Sequence, residues 1–157
     1  MDDDPPYEIT ITPFDGDTTV STQPLRGAVV ATLRRHDKTA AQINVALVDD
    51  KSMARLNRAY LNHDGPTDVL TYNLREPSDN TDVIDGEIVV SVDTAMREAL
   101  RRGHSVDAEL ALYAAHGVLH LLGYNDDKEE SAAKMHAMED EILESIGIGA
   151  IYGNREK

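Results

Sequence analysis

His116 and His120 stand four residues apart in a stretch, Ser105 to Leu122, that is apolar almost all the way round. On a helix, residues at this spacing leave the same face one turn apart, close enough for two imidazoles to share one ion. Burying two imidazoles without partners would cost free energy, so a metal or hydrogen-bonding groups must offset that cost. Many core and surface histidine pairs share the spacing, but the next six residues strengthen it here. Gly123 occupies the place of a helix-ending glycine that can reverse the chain, after which Tyr124-Asn125-Asp126 can return a carboxylate over the exposed nitrogens. Two imidazoles and the Asp126 carboxylate leave a fourth position for water, the arrangement of a catalytic zinc site. Zinc would draw the pKa of that water far down, toward about 7. The same donors suit a redox-active iron, which stays open as an alternative. Zinc peptidases carry Glu directly after the first His, and here that position is Gly117, so peptide hydrolysis would lack its base. A mid-helix glycine costs about 1 kcal/mol relative to alanine, so Gly117 implies close approach of a ligand or of a packed neighbour.

Composition limits what surrounds such a site. The chain has 157 residues, 41% of them hydrophobic and 28% charged, which suits one globular domain. It has no cysteine, so any metal is bound through nitrogen and oxygen. The acidic start Met-Asp-Asp-Asp-Pro-Pro does not resemble a secretory signal, and no apolar run is long enough to span a membrane. A cytoplasmic protein with no membrane partner is expected. The net charge of -14 argues against sequence-blind binding to nucleic acid, although local basic clusters exist: Arg34, Arg35 and His36; Arg55 and Arg58; Arg97, Arg101 and Arg102. The simplest reading of these is solvated helix faces and last-turn cations favoured by the helix dipole.

Periodicity and caps define the elements that must position the site. Residues 1–6 are expected to form a disordered tail, residues 7–152 one domain and residues 153–157 a C-terminal tail. Tyr7 to Thr12, Ala41 to Val48, Thr67 to Leu74 and Gly86 to Val92 read as strands, the first of them at an edge. Helices are expected from Thr22 to His36, from Asp49 or Asp50 to about Tyr60, from a cap at Asp93 to Gly103, from Ser105 to Leu122 and from Glu129 to Ile146. Polar residues Glu76 to Asp85 read as a loop. The expected fold class is α+β: a single domain with a four-stranded mixed sheet packed with about five helices, and the metal site at the end of a central helix.

With these residues in place, a family resemblance becomes visible. His116-Gly117-Val118-Leu119-His120-Leu121-Leu122-Gly123-Tyr124-Asn125-Asp126 resembles the His-Gly-x-Leu-His-Leu-x-Gly-Tyr-Asp-His signature of the YbeY family. These are bacterial ribosomal-RNA maturation factors described as single-strand-specific endoribonucleases. Leu56-Asn57, Tyr60 and Asp64-Gly65-Pro66-Thr67-Asp68-Val69-Leu70-Thr71-Tyr72 are similar to a second family stretch, and Gly86-Glu87-Ile88 to a third. The resemblance implies a zinc-dependent hydrolase acting on ribosomal RNA or the small ribosomal subunit in maturation and quality control. A ribosomal protein or assembly factor is a further implied partner. His116, His120 and Asp126 would be the ligands.

This chain departs from the pattern in two places. Asp126 stands where the family usually has its third histidine, with Asp127 as the alternative if the loop shifts by one residue; aspartate remains a competent zinc ligand. Leu61 stands where the family carries an arginine thought to engage the phosphodiester, leaving Arg58, three residues earlier, as the candidate catalytic cation. A binding module with a structural metal and another metal-dependent hydrolase are the competing functions.

Overall fold

The backbone pattern of alternating apolar residues, short polar turns and amphipathic runs folds into four strands and five helices among the described residues. The structure is a computed structural model; it describes residues 7–12, 21–61, 69–74, 83–124 and 127–149, without the side chains of 57–61. The strands are β1 (Tyr7–Thr12), β2 (Ala40–Val48), β3 (Val69–Asn73) and β4 (Val83–Ser91). The helices are α1 (Gln23–Arg35), α2 (Asp50–Leu61), α3 (Val92–Arg102), α4 (Val106–Leu121) and α5 (Glu129–Ser145). The expected tails, 1–6 and 153–157, lie outside the described residues.

The sheet order is β1-β2-β4-β3. β1 runs parallel to β2 and β2 parallel to β4, while β3 closes the other edge antiparallel to β4, so the sheet is mixed as expected. Side chains alternate across the pleat. Ala41, Ile43, Val45 and Leu47 of β2 are therefore buried beside Ile84, Ile88 and Val90 of β4, on the face that carries the main core. The opposite pleat holds Leu70 and Val89, which enclose Met53 of α2 in a second, smaller cluster.

α4 is the hub of the main layer and packs against α1, α3, α5, β3 and β4. It is buried continuously from Ala108 to Ala115 and again from Gly117 to Leu119, as an apolar circumference requires. Glycine lets it lie close to the sheet. A Cβ on Gly117 would stand 2.8 Å from Ile88 Cγ2 of β4, and one on Gly86 of β4 would stand 2.8 Å from Leu121 Cδ1 of α4. Of the two neighbours that Gly117 could admit, a ligand or a packed element, the structure supplies the second: it is the sheet.

Among the described residues, two boundaries differ from expectation by more than one residue. β4 begins at Val83 rather than Gly86, because residues 83–85 continue the ladder against Ala40, Ala41 and Gln42, and the polar Asp85 sits on the pleat opposite buried Ile84. The cap of α3 is Ser91, whose hydroxyl accepts from Thr94 N–H at 3.1 Å, and not Asp93. Asp93 instead accepts the Asp50 N–H at 2.9 Å, at the start of α2. There Asp49 caps α2 by accepting from Ser52 N–H at 2.8 Å.

Candidate metal centre

α4 owes its placement at the site to local sequence at both ends. Ser105 caps its start by accepting from Ala108 N–H at 3.1 Å. At the other end Gly123 takes φ +106°, and Tyr124 N–H bonds back to Leu119 carbonyl at 3.0 Å, closing the last turn around the glycine. This reversal aims the Tyr124 carbonyl at His120. The expected glycine stop is therefore present, and His116 and His120 come together just before it.

The two rings meet nearly edge to face, with centroids 4.5 Å apart and planes at 83°. His120 Nδ1 lies 3.2 Å from the Tyr124 carbonyl oxygen, and His116 Nδ1 lies 2.5 Å from Glu139 Oε2 on α5. Both partners are acceptors, so in each neutral ring the proton sits on Nδ1 and the lone pair on Nε2. The two Nε2 atoms face each other at 3.0 Å. Lone pairs at that distance repel unless a cation lies between them. Two nitrogens at about 2.0 Å from one tetrahedral ion stand about 3.3 Å apart, so the pair is spaced as two ligands of one metal would be. The donor set fits zinc: neutral imidazoles, each with its far nitrogen fixed by an acceptor, on a rigid buried helix.

A further pin comes from α1. His36 Nδ1 donates to the Thr32 carbonyl at 2.8 Å, which leaves its Nε2 to accept from the Tyr124 hydroxyl at 2.9 Å. Tyr124 is thus held at its ring by α1 and at its carbonyl by His120, steadying the start of the segment that leads to Asp126.

The other expected site residues are placed unequally. Asp126 lies outside the described residues. Asp127 is described and exposed, and among the described residues no group of three His, Asp or Glu side chains converges as a metal site would require, so Asp127 is not drawn to the pair. Arg58 lies in the last turns of α2, but its side chain, like that of Leu61, is outside the described set. The Arg97, Arg101 and Arg102 cluster proves an ion-paired helix face, and Arg35 of the first cluster is also paired. Arg97 meets Asp50 at 2.6 Å, Arg101 meets Glu98 at 2.5 Å, Arg102 meets buried Glu109 at 3.2 Å, and Arg35 pairs with Glu141.

Sequence reading missed Glu139, which is fully buried. The available signal was a carboxylate in line with the apolar stripe of the last helix, where Met135, Ile142 and Leu143 are its buried companions.

Comparison with known proteins identifies the family and the fold. A family model described as "Endoribonuclease YbeY" matches residues 15–147. A protein named "Endoribonuclease YbeY" from Moorella thermoacetica is 42% identical over 116 residues, covering 69% of this chain and 74% of its own. One of the same name from Desulfitobacterium hafniense is 41% identical over 115 residues, covering 69% and 73%. The solution structure of TM1509 from Thermotoga maritima superposes with a TM-score of 0.56 at 24% identity, covering 88% of this chain and 90% of that one, a likeness of fold. With the histidine motif, the α+β architecture and the family match in agreement, this chain belongs to the endoribonuclease YbeY family.

Proposed function

We propose that this protein is a metal-dependent endoribonuclease that cuts single-stranded RNA during ribosomal-RNA maturation and ribosome quality control, in the cytoplasm. The observation that carries this reading is the pair of Nε2 atoms facing each other at 3.0 Å, in a chain whose relatives are named as endoribonucleases. His116, His120 and Asp126 would hold the ion, with zinc the expected metal. Bound there, a divalent ion supplies Lewis acidity toward a phosphoryl oxygen and draws the pKa of a water toward neutrality.

The chain's own residues then have definite parts. His116 and His120 are ligands and not proton carriers, because each keeps its Nδ1 proton in a hydrogen bond and offers only Nε2. Asp126, six residues beyond His120 in the sequence, would complete the donor set. Gly117 brings no carboxylate to the site, so the mechanism is not that of a metallopeptidase. Arg58 is the cation proposed to engage the phosphodiester in place of the arginine replaced by Leu61. The test is cleavage of single-stranded RNA by the zinc-loaded protein and by Asp126→Ala. Loss of cleavage in the variant is expected, and equal activity in both would refute the mechanism.

The charge of -14 and the neutralised arginines favour a second, compatible role, docking on a basic ribosomal protein or assembly factor of the small subunit. Co-purification with small-subunit proteins that survives Asp126→Ala, in a protein unable to cut RNA, would make binding the primary function.

A further inference from the structure

We infer that Glu139 is the positioning residue of the metal centre: its buried carboxylate fixes the His116 ring by Nδ1, and His136 secures that carboxylate from the other side. The inference rests on the reading that His116 and His120 share one ion.

Glu139 is 0% exposed, and both of its oxygens are taken by imidazoles: Oε2 lies 2.5 Å from His116 Nδ1, and Oε1 lies 3.1 Å from His136 Nδ1. A buried carboxylate is a poor way to hold two helices together, since an apolar residue of similar volume would serve the α4 and α5 contact at no desolvation cost. The neighbouring buried positions of α5, Met135, Ile142 and Leu143, are apolar in just that way. A carboxylate at this one place is explained by what lies across from it, the far nitrogen of a ligand ring. It holds the proton on Nδ1, directs the Nε2 lone pair toward the ion and raises the donor strength of that nitrogen. When an ion withdraws charge from Nε2, the Nδ1–H bond to Glu139 gains charge assistance and strengthens. Ion binding at α4 and docking of α5 are thereby linked, and each should strengthen the other. His136, partly exposed on α5, occupies the second oxygen and prevents the carboxylate from rotating away from His116.

A merely structural hydrogen bond between helices would affect the stability of the metal-free protein but would not set the zinc affinity. Ring-nitrogen NMR of the metal-free wild-type chain is expected to place the His116 proton on Nδ1; finding it on Nε2 would overturn the proposal without any variant having to fold. Competition with a chromophoric chelator is expected to show zinc affinity falling about 10- to 100-fold in Glu139→Gln. His136→Ala should fall in the same direction by less. Zinc affinity in Glu139→Gln equal to that of the wild type would also overturn it, and a wild-type chain that takes up no zinc would overturn both this role and the metal site beneath it. Neither readout involves RNA, so a chain that binds zinc as expected yet leaves RNA intact would refute the endoribonuclease reading alone.

Discussion

Single side chains in this protein carry effects that reach well beyond their own element. Asp50 receives hydrogen bonds from Ser91 and Thr94 hydroxyls at 2.8 and 2.9 Å and from Arg97 at 2.6 Å, so one carboxylate joins the starts of α2 and α3. Burial alone would raise its pKa, but the Arg97, Ser91 and Thr94 bonds and the Arg97 charge outweigh burial and hold it below the ordinary 3.8. A carboxyl depressed in the folded state contributes stability that is present above its unfolded pKa, about 3.9, and is lost as pH falls through the folded value. Asp50→Asn should therefore cost about 1–3 kcal/mol at pH 7, with the gap to wild type closing as pH falls through the lowered folded value, as urea unfolding at several pH values would show. The histidine pair was legible at this scale because its spacing is local: four residues on one helix determine where both rings lie. Glu139 was not, because it is 23 residues from His116 and reaches it only through the packing of α5 on α4. Asp93 misled for a related reason. Both Ser91 and Asp93 are good caps by type, and only the tertiary approach of α2 assigns Asp93 to the neighbouring helix.

At the scale of elements, α4 is the piece whose placement matters most, and glycine controls it from both sides. Adding a methyl at Gly117 would remove a backbone-entropy cost of about 1 kcal/mol. It would also drive a carbon to 2.8 Å from the branched Ile88 side chain, which a strand residue packed in the core cannot easily move. Overpacking of this kind costs about 1–3 kcal/mol, so Gly117→Ala is expected to be net destabilising by thermal unfolding and to weaken zinc binding as the helix backs away from the sheet. Stability equal to or above wild type would mean that the close approach is not constraining. The types and approximate limits of the strands and helices were readable because each is a strongly periodic run ended by a cap or turn, as with Ser105 before α4 and Gly123 after it. The early start of β4 was not readable, since Asp85 breaks an apolar run in the one-dimensional pattern while fitting the pleat in three dimensions.

For the molecule as a whole, the sheet and its covering helices form one scaffold with the paired imidazoles at the end of its most buried helix. The described residues contain no helix long and apolar enough to cross a membrane. A ligand that binds the folded state alone stabilises it by mass action, so zinc at about 100 times its dissociation constant should add about 2.7 kcal/mol. Chelation should accordingly lower the thermal midpoint of the wild type and leave that of His120→Ala unmoved. The most direct measurement of the central claim is the zinc content of the purified chain after dialysis, compared with His116→Ala and His120→Ala. The facing Nε2 atoms predict about one ion per wild-type chain and almost none in either variant. A wild-type chain that retains no zinc, or variants that hold as much as the wild type, would contradict the metal centre itself.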